Sequence, residues 1–130
     1  MQNRIALAPI AMAVMLTGCD PDRETTRIEE RLVSPGGRIE AVSADDIGGG
    51  ATVTGATSVY LLAPGSFPRL RDRVFSKERT CFVRMRWLDA NTLDVSFAGR
   101  DGAFQAGSSA SAPAITVRVA WRGRDVNAGC

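Results

Sequence analysis

The sequence predicts an all-β fold, a small antiparallel sandwich or strongly twisted meander of about seven strands that follows a cleaved N-terminal signal peptide. Three observations carry that expectation. Across residues 81–88, Cys81, Val83, Met85 and Trp87 fall on one side of an extended chain, and Arg84 and Arg86 on the other. The same period of two returns in residues 92–98 and 114–121. Between such runs stand clusters that break regular structure: Ser34-Pro35-Gly36-Gly37, Pro64-Gly65-Ser66-Phe67-Pro68 and Asp89-Ala90-Asn91.

Reading from the N-terminus, Arg4 precedes an apolar run at 5–16 broken only by Pro9. As a helix, twelve residues span about 18 Å, too short to cross a hydrocarbon core of about 30 Å. The run is apolar all round, unlike an amphipathic core helix. A positive end, a short apolar centre and small residues form the layout of an export signal. Leu16-Thr17-Gly18-Cys19 resembles the bacterial lipobox, which implies cleavage before Cys19 and a diacylglycerol on its thiol; an ordinary cleaved signal is the alternative. Residues 1–18 are then the signal peptide, 19–26 a polar lipidated tether and 27–130 a single β-domain. The expected location is the bacterial cell envelope, facing the periplasm, with the membrane reached through the lipid anchor. Asp20 resembles the residue that retains some lipoproteins at the inner membrane, so inner and outer membrane both stay open.

Within the domain, residues 28–33 fit either a first strand or a helical turn. Ser34-Pro35-Gly36-Gly37 suits a type II turn, with Pro fixing the second position and Gly taking positive φ at the third. Arg38-Ile39-Glu40-Ala41-Val42 alternates as a half-buried strand and would complete a hairpin. Gly48-Gly49-Gly50 reads as loop. Residues 51–63 read as one long strand bent near Gly55, and Val74-Phe75 as the centre of a short one. Residues 81–98 form a second hairpin. Residues 99–113 read as a long loop whose one large apolar residue is Phe104, and 114–121 as the last strand. The expected core is Ile39, Ala41, Val59, Leu61, Val83, Met85, Trp87, Leu93, Val95, Phe97, Val117, Val119 and Trp121.

The chain has 16 Lys and Arg, 14 Asp and Glu, and no histidine. Near-balanced charge argues against a dedicated nucleic-acid binder. Without histidine there is no imidazole base and no His-ligated metal. If lipid occupies Cys19, Cys81 and Cys130 remain as one pair, and an oxidising compartment favours a disulfide between them, with two free thiols as the alternative.

Two segments carry a resemblance. Residues 34–42, then Gly49-Gly50-Ala51-Thr52 and Val59-Tyr60-Leu61-Leu62, and later Trp87-Leu88-Asp89-Ala90-Asn91-Thr92-Leu93, resemble a family of small uncharacterised bacterial lipoproteins. The family's pattern has Asp where Gly36 stands, and a Cys before its Gly-Ala-Thr element where this chain has Gly. The resemblance implies an envelope location and an all-β domain, and brings no catalytic residues.

Candidate chemistry is sparse. The three glycines lack the Lys-Ser/Thr step and helix of a phosphate loop. Asp45 with Asp46, or Asp20 with Asp22, is too short for a calcium loop, and no metal or other cofactor is expected. Ser76 and Lys77 are strand neighbours that point to opposite faces, which does not suit a serine–lysine dyad. The basic residues Arg69, Arg71, Arg73, Lys77 and Arg79, with Arg84 and Arg86, form the most unusual surface feature. They suit either contact with anionic lipid headgroups, an acidic envelope polymer or an envelope protein, or a solvated face whose Arg stems protect strand edges. The expectation is a non-enzymatic binding or structural domain; the alternative is an accessory or inhibitor subunit of an envelope enzyme or transporter.

Overall fold

The computed structural model describes residues 26–46 and 55–124. Eight strands run in order: β1 Thr26–Val33, β2 Glu40–Asp46, β3 Ala56–Leu62, β4 Arg73–Glu78, β5 Thr80–Asp89, β6 Thr92–Gly99, β7 Gln105–Ala106 and β8 Thr116–Trp121. A 3-10 turn, Leu70–Asp72, leads into β4. The fold is all-β. The strands form a five-stranded sheet, β1-β2-β3-β4-β7, and a three-stranded sheet, β5-β6-β8.

The first strand resolves as β1, and it pairs with β2 through the turn foreseen at 34–37. The Gly37 N–H donates to Ser34 O at 2.9 Å, and Gly36 takes φ 98°, as the third position of a type II turn demands. β2 is more deeply buried than simple alternation suggested. Ala41 faces the other sheet, while Val42 and Ala44 on the opposite face are also buried. In register, Val42 lies between Arg31 and Tyr60, whose long side chains flank it.

The hairpin at 81–98 forms as β5 and β6, with Val83 opposite Phe97 and Met85 opposite Val95. A bulge inserts Cys81 between Thr80, opposite Gly99, and Phe82, opposite Ala98. Between the sheets lies one core, centred on Ala41, Val59, Leu61, Val74, Phe75, Met85, Leu93, Val95 and Phe97. Ile39, Val83, Trp87, Val117 and Val119 pack against it half-buried. Phe75, Phe97 and Phe104 form an aromatic triangle with centroids 5.3 to 5.7 Å apart. Across the sandwich, the Trp87 indole N–H donates to Leu32 O at 3.0 Å.

Three expectations need correction. The long loop at 99–113 contains β7, which pairs with β4 in the larger sheet. The chain therefore crosses from one sheet to the other and back. Consequently β8 meets β6 in parallel, whereas antiparallel pairing was expected. Trp121 is 49% exposed instead of lying in the core. It stands at the end of β8, where its indole N–H donates to Gly99 O at 3.3 Å and its ring rests on Gly102. The strand expected from residue 51 begins, as far as described, at Ala56; residues 51–54 and Gly48-Gly49-Gly50 lie outside the described residues.

Candidate functional site: an arginine face on the smaller sheet

One face of the three-stranded sheet packs on the core, so alternation turns the other outward. On β5 the outward residues include Phe82, Arg84 and Arg86; on β6, Asp94 and Ser96; on β8, Thr116, Arg118 and Ala120. Register places Arg86, Asp94 and Arg118 in one row across the three strands, and Arg84, Ser96 and Ala120 in the next. The chain continues past Trp121 in the same ladder, since the Arg122 N–H donates to Phe97 O at 2.8 Å. Alternation turns Arg122 to the same side as Arg118.

Arg84, Arg86, Arg118 and Arg122 are all exposed, and none makes an ion pair among the described residues. Asp94 is the single carboxylate within the two rows, and neither neighbouring guanidinium closes on it. The Arg84 guanidinium sits over the Phe82 ring, 5.1 Å from its centroid, within the range of cation–π attraction. Small side chains at Ser96 and Ala120 keep the middle of the face low. The result is a shallow surface with four cations at its sides, suited to an extended anionic partner and lacking the walls that enclose a small molecule.

The structure divides the basic residues that the sequence singled out. Arg84 and Arg86 lie on this face. Arg69 precedes the 3-10 turn, Arg71 lies within it, and Arg73 begins β4 of the larger sheet. Arg79 occupies the β4–β5 turn with φ 55°. Lys77 is buried, and its Nζ donates to Asp101 Oδ1 at 2.8 Å. Sequence reasoning did not find Arg118 and Arg122. Their proximity to Arg84 and Arg86 depends on the parallel β6–β8 pairing, which leaves no local pattern.

The other candidates find structural partners. Ser76 Oγ accepts a hydrogen bond from Ser58 Oγ at 3.1 Å, so Ser76 and Lys77 engage different groups. Asp45 and Asp46 belong to β2 instead of a loop. Asp45 accepts a hydrogen bond from Thr57 Oγ1 at 2.7 Å and pairs with Arg27 at 3.4 Å. A cleft of about 510 Å3 beside β4 is lined by Arg73, Lys77, Glu78, Asp101 and Phe104, among others. Within it, the Lys77 ammonium and then the Ala103 N–H hold the Asp101 carboxyl below its ordinary range. A groove of about 630 Å3 runs between the 34–39 turn and residues 111–115. Cys81 is half-buried; Cys19 and Cys130 lie outside the described residues.

Comparison with protein-family models, curated proteins and solved structures finds no match to this chain.

Proposed function

We propose that this chain is an exported bacterial lipoprotein whose β-sandwich, tethered to a membrane through Cys19, works in the envelope by surface contact and not by catalysis. The observation that carries the contact reading is the arginine face. Four exposed guanidiniums spread over neighbouring strands without ion-pair partners suit recognition of an extended anionic surface. The anchor reading is supported by Leu16-Thr17-Gly18-Cys19 after an apolar run too short to span a bilayer.

The anchor is tested by metabolic labelling with a fatty-acid analogue in a bacterial host. Wild type is expected to carry the label in the membrane fraction, and Cys19→Ala to lose it. Equal labelling of both would overturn the anchor. Contact through the face is tested by cross-linking the exported protein in intact envelopes. Arg84→Glu combined with Arg86→Glu is expected to remove the main cross-linked species, and an unchanged pattern would count against it.

A further inference from the structure

We infer that the arginine face of β5, β6 and β8 lies on the anionic phospholipid headgroups of the membrane that holds the anchor. This inference rests on the lipoprotein reading for its geometry. Seven residue steps separate Cys19 from Thr26, and an extended chain gains at most about 3.6 Å per step, so β1 starts within roughly 25 Å of the bilayer. That distance is comparable with the length of the strands themselves.

The exit point also favours this face. The start of β1 lies at the end of the sandwich where β5 begins, since Glu29 lines one cleft together with Asp45, Cys81, Phe82 and Val83. Phe82 and Arg84 therefore stand at the tethered end, and Arg122 stands there too, beyond the end of β8. A domain leaning over on its tether can bring Arg84, Arg86, Arg118 and Arg122 to the headgroup plane together. Guanidinium forks suit phosphate oxygens, because each can donate two parallel N–H bonds. The anchor holds the domain close, so the arginines need only orient it.

The test uses the mature chain, residues 19–130, with Cys19→Ala, which lacks both the apolar signal run and the acyl anchor but leaves the face intact. Co-sedimentation is measured with vesicles of phosphatidylcholine alone and of phosphatidylcholine mixed with phosphatidylglycerol. Each arginine near an anionic surface contributes about a fivefold gain in partitioning. Arg84→Ser, Arg86→Ser and Arg118→Ser together are therefore expected to weaken binding to the anionic vesicles on the order of 100-fold. Binding to the neutral vesicles should not change, and salt at roughly 0.5 M should erase the difference. Thermal unfolding of the triple variant checks that the fold is kept, as exposed positions predict.

Equal partitioning of the folded Cys19→Ala protein and its triple variant into anionic vesicles would overturn the inference. A second measurement uses the acylated protein in vesicles and maps arginine modification by phenylglyoxal. Protection of Arg84, Arg86 and Arg118 by pure anionic lipid supports headgroup contact. Protection that appears only in native membranes assigns the face to a protein or polymer partner and overturns it. The vesicle experiment needs no acylation, so loss of the anchor in the labelling test and failure of the face are distinguishable.

Discussion

Lys77 Nζ lies 2.8 Å from Asp101 Oδ1, joining the inside of β4 to the turn after β6. The two partners differ sharply: the Lys77 side chain is 9% exposed and that of Asp101 64%. The Lys77 stem runs past Gly99, where an added Cβ would come 3.6 Å from Cε. Asp101 also accepts the Ala103 N–H at 3.1 Å, which shapes the turn that brings Phe104 onto Phe75 and Phe97. A buried cation thus reaches the surface at one carboxylate, and that carboxylate orders the segment that lids the aromatic cluster.

The pair makes this lid sensitive to acid. The Asp101 carboxyl is held below its ordinary value of 3.8, first by the Lys77 hydrogen bond and then by the Ala103 N–H. A carboxyl whose folded value is depressed adds stability above its unfolded value, and that stability is lost as pH falls through the folded one. NMR titration should therefore show Asp101 protonating below 3.8, with amide exchange at 101–104 accelerating over the same range. Lys77→Met keeps an apolar stem and removes the charge. It should return the Asp101 titration most of the way to its ordinary value, leaving the smaller Ala103 contribution. An unmoved titration would show that Lys77 is not the cause.

Ser109 is the second fastening of the crossover. Its hydroxyl, 3% exposed, donates to Leu61 O at 2.5 Å and accepts from the Ser111 and Ala112 N–H groups at 3.1 and 3.2 Å. Next to it, Ser111 Oγ donates to the buried Asp72. Ser109→Ala leaves three backbone groups, two of them buried, without that partner, which should cost about 1–3 kcal/mol in denaturant unfolding. Ser108→Ala, at an exposed position, should stay within about 0.5 kcal/mol of wild type.

These fastenings also mark where sequence reading reaches its limit. Residues 81–98 are legible because alternation is a local signal: Met85 and Val95, or Val83 and Phe97, select one face wherever the hairpin lies. The turn at 34–37 is legible because Pro35 and Gly36 restrict φ independently of context. The segment 99–113, rich in Gly, Ser and Ala, reads as loop because its role is set by partners far along the chain. Ser109 acts on Leu61, Lys77 on Asp101, and β7 on β4, so no window around residue 105 shows a strand. The arginine face was half-visible for the same reason. Arg84 and Arg86 share a strand, whereas Arg118 joins the row of Arg86 only through the parallel return of β8.

Gly36 and Gly102 separate two kinds of glycine requirement. An added Cβ at Gly36 meets nothing within 4 Å, but φ is 98°. Gly36→Ala should therefore cost about 1 kcal/mol through the backbone alone, leaving tryptophan fluorescence unchanged. At Gly102 an added Cβ would come 3.1 Å from the Trp121 ring. Gly102→Ala should displace that ring, weaken its hydrogen bond to Gly99 O and shift its emission towards the exposed range. Fluorescence responses of the opposite order would refute this assignment.

Cys81 is the extra residue of the β5 bulge, half-buried at the end of the sandwich where β1 and β5 begin. Acylation of Cys19 would leave Cys81 and Cys130 as the two unacylated cysteines of the mature chain. Peptide mapping of exported protein without reductant is expected to find them cross-linked, tying the C-terminus to the start of β5. A loop of roughly 50 residues closed in this way restricts the unfolded chain by about 4 kcal/mol in the loop-entropy account. Reduction, or Cys130→Ser, should therefore lower the denaturant midpoint, while adding reductant to Cys130→Ser should lower it no further. Two alkylatable thiols at Cys81 and Cys130 in non-reduced, exported protein would refute the pairing, and the β-sandwich would then hold on its core alone.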